Sequence, residues 1–272
     1  MKIKQIIIML VSGVLVLMVF ATEITLSNNN PNESEKVSVV VKHSDLYKDA
    51  NERIVLKSVP SEYWHQNIYL MADKITWMDF ENFAVQVGDM GGMIYHFPNW
   101  YHGKYEPKLF DEDVSGDKFD DLIIVLNNDK ASAGKPRKEV HVLNFIKGQG
   151  YEEAKVEPIQ KTKTHINSNV TLRKHGKFVT IRIGDVKYTT DISKYNYPNP
   201  REPFVISYEL IDYSFSNGQL IGIVPLYVLQ ETTSGGLIGY LILEYTWDGI
   251  EYVVKQLNFR EYNFQDEQFL FP

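Results

Sequence analysis

From Phe83 onward the apolar positions of this chain fall in short runs or alternate with polar ones, the period of strands rather than helices. Leu122-Ile-Ile-Val-Leu126 is a continuous apolar run too short for a helix, and it predicts a strand buried on both faces. Phe83–Val87 and Met93–Phe97 predict two strands joined by a tight turn at Gly91-Gly92. Val140–Phe145 and Val186–Thr190 are further strand candidates, and Val170–Leu172 with Phe178–Ile183 flank a hairpin at Lys174-His-Gly-Lys177. Phe204–Tyr213 and Leu220–Leu229 flank Asn217-Gly218, while Leu237–Trp247 and Tyr252–Leu257 flank Asp248-Gly249. Asn-Gly and Asp-Gly between strand-like runs are the strongest short-range hairpin signal. Upstream, Val37–Val41 and Ile54–Leu56 predict strands, and Ser61–Phe83, rich in Trp and Tyr, has room for a short helix. No helical pattern of ten to fifteen residues alternates with these strands, which disfavours βαβ units. The expected fold is all-β and mainly antiparallel, a partial propeller-like or sandwich-like sheet assembly with few short helices.

The ends carry a different pattern. Met1–Ala21 combines Lys2 and Lys4 with an apolar run from Ile6 to Phe20 and small residues at Val19 and Ala21. This is the signature of an export signal, or of an N-terminal anchor if it is not cleaved. Residues 22–36 are polar and predict a flexible spacer. Residues 37–262 form the expected β-rich domain, with a division into two lobes near 150–165 left open, and 263–272 are a C-terminal tail. The expected location is therefore secreted or cell-surface, outside the cytoplasmic membrane, with membrane contact only through an uncleaved leader.

Composition narrows the partners. The formal net charge is -7 and becomes more negative once Lys2 and Lys4 are removed with the leader. A basic footprint is missing, so nucleic acid is not an expected partner. There is no cysteine, which excludes both disulfides and lipid attachment through a thiol.

One stretch carries definite chemistry: Asp113-Val-Ser115-Gly116-Asp117-Lys118-Phe119-Asp120-Asp121, leading straight into the apolar run at Leu122. Counting Asp113 as position 1, side-chain oxygens stand at 1 (Asp113), 3 (Ser115), 5 (Asp117) and 9 (Asp121), with the Phe119 carbonyl at 7. Calcium takes about six to eight oxygens, and alternate residues of a curled loop can all point inward to supply them. Gly116 lets the backbone turn without a Cβ clash. The EF-hand pattern fails, because Lys118 stands where its glycine would and Ile124 where its bidentate acid would. The expected cofactor is calcium, in a loop that feeds a strand.

Asp113 to Leu122 resembles the short calcium loops of FG-GAP and VCBS-type repeats, which are common in exported bacterial proteins. A looser similarity runs through Asn127–Phe145 and Leu241–Phe259. The resemblance implies side-chain ligands at Asp113, Ser115, Asp117 and Asp121 and a carbonyl ligand at Phe119. Ser115 replaces a stronger Asn or Asp donor, and Lys118 brings a positive charge where glycine is usual, so both lower the implied affinity. A single copy does not amount to a propeller of loop-bearing blades.

Other chemistry is sparse. There is no Gly-x-Ser-x-Gly elbow, no phosphate loop ending in Lys-Ser/Thr and no His-Glu-x-x-His. Thr232-Thr-Ser-Gly-Gly236 reads as a turn. His96 and His102 are near enough in sequence to share zinc but lack a third ligand. Tyr95, Trp100 and Tyr101 form a candidate aromatic binding surface, with core packing as the competing reading. No catalytic residue can be assigned. The expected role is an exported calcium-binding protein that meets a cell-surface or extracellular partner without catalysis. The alternative is an extracellular hydrolase of glycans or peptidoglycan, with structural calcium and a cleft lined by His96, Trp100 or His102.

Overall fold

The computed structural model describes residues 52–90, 92–131, 137–193, 204–228 and 236–263. The leader, the spacer, the Val37–Val41 strand, Thr232–Gly235 and most of the C-terminal tail lie outside the described residues.

The order of elements is β1 (Glu52–Ser61), β2 (Gln66–Lys74), β3 (Phe80–Val87), β4 (Met93–His102), β5 (Lys108–Glu112), β6 (Asp121–Asn127), β7 (Lys138–Ile146) and β8 (Gly150–Val156). Then come α1 (Ile159–Asn169), β9 (Val170–His175), β10 (Phe178–Ile183), β11 (Val186–Asp191), β12 (Phe204–Ile206), β13 (Asp212–Ser216), β14 (Gln219–Val228), β15 (Leu237–Trp247) and β16 (Glu251–Glu261). β1 to β4 form a four-stranded antiparallel meander, and β9 to β11 a three-stranded one. The remaining strands make a nine-stranded sheet in the order β12-β14-β15-β16-β8-β7-β6-β5, with β13 on β14. All its pairings are antiparallel except a short parallel contact between β8 and β16.

That sheet curls until its ends approach each other. Lys108 of β5 and Lys138 of β7 both reach Asp212 of β13, at 3.2 and 2.5 Å, and Phe110 packs edge-on against Phe215. The result is nearly closed and barrel-like. All-β is thus the observed class, as expected.

The turns follow from their residues. Asn217 and Gly218 both have positive φ, at 52° and 69°, the two-residue hairpin geometry that Asn-Gly favours. At Asp248-Gly249 the connection is longer, and the Asp248 carboxylate accepts the N–H groups of Ile250 and Glu251.

Three local expectations need correction. Ser61–Phe83 holds no helix but a turn followed by β2 and the start of β3, because alternate residues such as Ile68, Leu70 and Ala72 bury one face of β2. Phe204–Tyr213 is not one strand, since a 3-10 turn at Tyr208–Leu210 interrupts it. The helix α1 was not foreseen; only Thr162 and Ile166 of it are buried, four residues apart on one face. Among the described residues no helix is long and apolar enough to cross a membrane.

β6 is the strand on which two cores meet. Leu122, Ile124 and Leu126 pack with Ile68, Phe83 and Trp100 from the β1–β4 sheet. Ile123 and Val125 face the other way, into a core with Val179, Ile181, Leu241 and Ile166. The run predicted to be buried on both faces is so buried, and its side chains alternate between the two interiors.

Candidate functional site

The acidic stretch is the connection between β5 and β6, whose ladder ends at the Glu112–Asp121 pair. Chain curvature comes first. Gly116 has φ of 83° and Lys118 has φ of 75°, so two residues of this short loop are left-handed. Gly116 adopts that conformation freely, whereas Lys118 is strained by roughly 1 kcal/mol.

Each acid then fixes part of the curl. Asp113 accepts the N–H of Gly116 on Oδ1 at 2.7 Å and that of Lys118 on Oδ2 at 2.9 Å. Asp117 Oδ1 accepts the Phe119 N–H at 2.9 Å. Asp121 is fully buried: its Oδ2 accepts the N–H groups of Val114 and Ser115 at 3.1 and 2.8 Å, and its Oδ1 that of Phe145 on β7 at 3.1 Å. It therefore ties the mouth of the loop to the neighbouring strand. The Phe119 ring packs against Tyr63 and Phe145, which anchors the far side of the loop in an aromatic cluster. Ser115 Oγ and Asp111 Oδ1 are buried without a hydrogen bond of good geometry, although the Ser115 hydroxyl lies close enough to Asp121, and that of Ser61 to Asp111, to pull each carboxyl's pKa down.

The electrostatics are one-sided. Burial pushes Asp111 up to about 6, with the charges of Asp120, Glu112 and Asp121 adding to the shift. Asp121 is pushed to about 6 by burial as well, against the pull of the N–H groups it accepts. Glu112 and Asp120 are raised by burial and by neighbouring acids, Glu62 among them. The site is a pocket of negative potential that a cation would relieve.

The residues suit a hard cation by type, offering carboxylates at Asp113, Asp117 and Asp121, a hydroxyl at Ser115 and a carbonyl at Phe119. A carboxylate has about four lone-pair sites, so the bonds to backbone N–H groups leave acceptor capacity on each acid. In the arrangement they adopt, however, no three His, Cys, Asp or Glu side chains among the described residues are grouped to hold a metal ion.

Comparison with protein-family models, curated proteins and solved structures finds no match.

The other sequence-predicted positions are placed elsewhere. Trp100 is 6 % exposed, stacked between Phe97 and His141 with both ring centroids at 3.9 Å. Tyr95 is half-buried, edge-on to Tyr151 and accepting its N–H. The Tyr101 hydroxyl lies 2.5 Å from Asp79 and 2.9 Å from Asp129. Packing and internal hydrogen bonds account for all three. His96 is exposed on β4, whereas His102 is buried. The His102 Nδ1 accepts the Asn127 N–H at 2.9 Å, so its Nε2 is the nitrogen that donates to the Tyr105 carbonyl at 2.8 Å. Burial holds its pKa down. Both ring nitrogens are used, so the two histidines do not make a shared metal site.

Sequence reasoning singled out none of the residues at the seam of the curled sheet. A cavity of about 500 Å³ lies there, lined in part by Lys108, Arg137, Lys138, Asp212, Tyr227 and Tyr240.

Proposed function

We propose that this is an exported, calcium-stabilised β-rich protein whose role is interaction at or outside the envelope rather than catalysis. The observation that carries the calcium reading is the left-handed loop at Gly116 and Lys118, which holds the buried Ser115 hydroxyl beside the buried Asp121 carboxylate, with Asp113 and Asp117 on the same short turn. Asp113, Ser115, Asp117 and Asp121 would hold the ion with the Phe119 carbonyl, and the ion would supply charge neutralisation and a fixed loop. Binding to the folded state alone would stabilise it by RT ln(1 + [Ca]/Kd). The export reading rests on the leader-like pattern of Met1–Ala21, and the partner would be a cell-surface or extracellular one.

The test is thermal unfolding with chelator and with millimolar calcium. For a modest site, calcium is expected to add about 1–2 kcal/mol, a rise of several degrees in Tm. Asp117 is exposed and bonds only the Phe119 N–H, so Asp117→Ala is expected to fold normally and lose the calcium response. An unchanged Tm in calcium for the native chain would sink the reading.

Lys118 provides a gain-of-function arm. Lys118→Gly relieves the left-handed strain and removes a positive charge beside the ion. A unit charge a few ångström from a divalent ion is worth on the order of 1 kcal/mol even in water. The expected result is calcium affinity about fivefold tighter by titration calorimetry. Equal or weaker affinity would place the ion somewhere other than this loop.

A further inference from the structure

The cavity at the seam of the barrel-like sheet has an unbalanced charge and an apolar wall. Its cations are Lys108, Arg137 and Lys138, and its acids are Glu106 and Asp212. Glu106 is engaged by Lys57 at 2.6 Å, a residue outside the lining. Asp212 is 4 % exposed, and its Oδ2 meets both lysines, while its Oδ1 accepts the Tyr213 N–H at 2.7 Å. One carboxylate thus answers two ammonium groups, and Arg137 adds a third positive charge at an exposed position. Among the described lining residues a surplus of positive charge persists, in a chain that is acidic overall. The apolar part of the wall includes Val125, Leu126, Leu210, Pro225, Tyr227 and Tyr240, and Asn127 adds a polar group.

We propose that this cavity binds an amphipathic organic anion, its carboxylate taken by Lys138 and Arg137 and its apolar body lying along Pro225, Tyr227 and Tyr240. The volume falls within the range of about 300–1,000 Å³ usual for small-molecule sites, and the mix of apolar wall with a few convergent charged groups is what such sites share. Lys138 is the more accessible ammonium, its side chain 34 % exposed against 20 % for Lys108; it makes the shorter contact with Asp212, and Lys108 on the same oxygen can keep that carboxylate paired when Lys138 turns to a ligand. Arg137 presents a planar fork matched to a carboxylate. A cationic amphiphile of the same size would meet the surplus charge with the wrong sign. The site is independent of the calcium reading: it sits at the Lys108–Val125 end of the β5–β6 ladder, and the acidic loop closes the Glu112–Asp121 end.

The test is titration calorimetry of dodecanoate into the full chain, in chelator and again in calcium. Dodecyltrimethylammonium and acetate serve as probes of tail and headgroup alone. Dodecanoate is expected to bind saturably at one site, with either probe at least about tenfold weaker. The Arg137→Gln Lys138→Gln double variant leaves Lys108 on Asp212 and is expected to weaken dodecanoate about tenfold or more. Leu210 is 41 % exposed at the rim, so Leu210→Trp is expected to fold and to block binding by filling the mouth. Equal binding of the cationic amphiphile, native-like binding by Leu210→Trp, or no saturable binding would each overturn the proposal. If the double variant fails to fold, Leu210→Trp decides. Loss of the calcium response with dodecanoate binding intact would reject the loop reading alone.

Discussion

Asp121→Ala is expected to destabilise the protein by about 3–5 kcal/mol, lowering Tm by roughly 10 °C, with or without calcium. The carboxylate accepts three backbone N–H groups, from Val114, Ser115 and Phe145, and sits where no solvent reaches. Removing it strands three donors, two of them in fully buried surroundings, at about 1–3 kcal/mol each. Asp121→Asn keeps one carbonyl acceptor but turns an amide donor toward the remaining N–H groups, so it should recover only part of the loss. Measurements belong near pH 8, well above the value of about 6 to which burial raises this carboxyl. The contrast with Asp117→Ala separates framework from ligand: the Asp121 variant is weakened even in chelator, and the Asp117 variant only fails to gain from calcium. A loss under 1 kcal/mol for Asp121→Ala in urea titration would mean that the loop is held by something else.

The second large effect lies two and three residues further along. Ile123→Ala and Ile124→Ala each remove a fully buried branched side chain, at an expected cost of about 2–5 kcal/mol. The two residues point into different cores. Because β6 is a wall of both, each variant is expected to lower one common unfolding transition rather than to soften one half of the molecule. Calorimetry should show a single peak whose calorimetric and van't Hoff enthalpies agree. Two peaks, with only the first displaced in Ile124→Ala, would show that the cores melt separately.

How much of this was legible in the sequence depends on how local the signal is. The two-faced burial of Leu122–Leu126 and the Asn217-Gly218 hairpin depend on adjacent residues, and both stand as expected. The loop's acid spacing was legible for the same reason. What the spacing could not convey was that Asp113 and Asp121 spend acceptor capacity on the backbone, since that depends on where the N–H groups of Gly116, Lys118 and Phe145 arrive. Helix α1 hid because its inward stripe is short and one member is a threonine, Thr162, which bonds Glu157. β5 hid because Lys108-Leu-Phe-Asp-Glu112 is brief and carries three charges. The seam cavity had no local trace at all. Asp212 meets Lys108 and Lys138 across 104 and 74 residues of chain, and only closure of the curled sheet brings them together.

A strand that is apolar on both sides has a peculiar weakness. Sliding β6 by one residue would send Ile123 and Val125 where Leu122, Ile124 and Leu126 now sit, trading one hydrophobic set for another at little penalty. Hydrophobicity by itself gives this central strand no zero point. Asp121 cannot be moved in that way, because a displaced carboxylate would abandon its three donors inside an apolar interior. The aspartate at the mouth of the loop is therefore the index mark against which the alignment of the whole curled sheet is set.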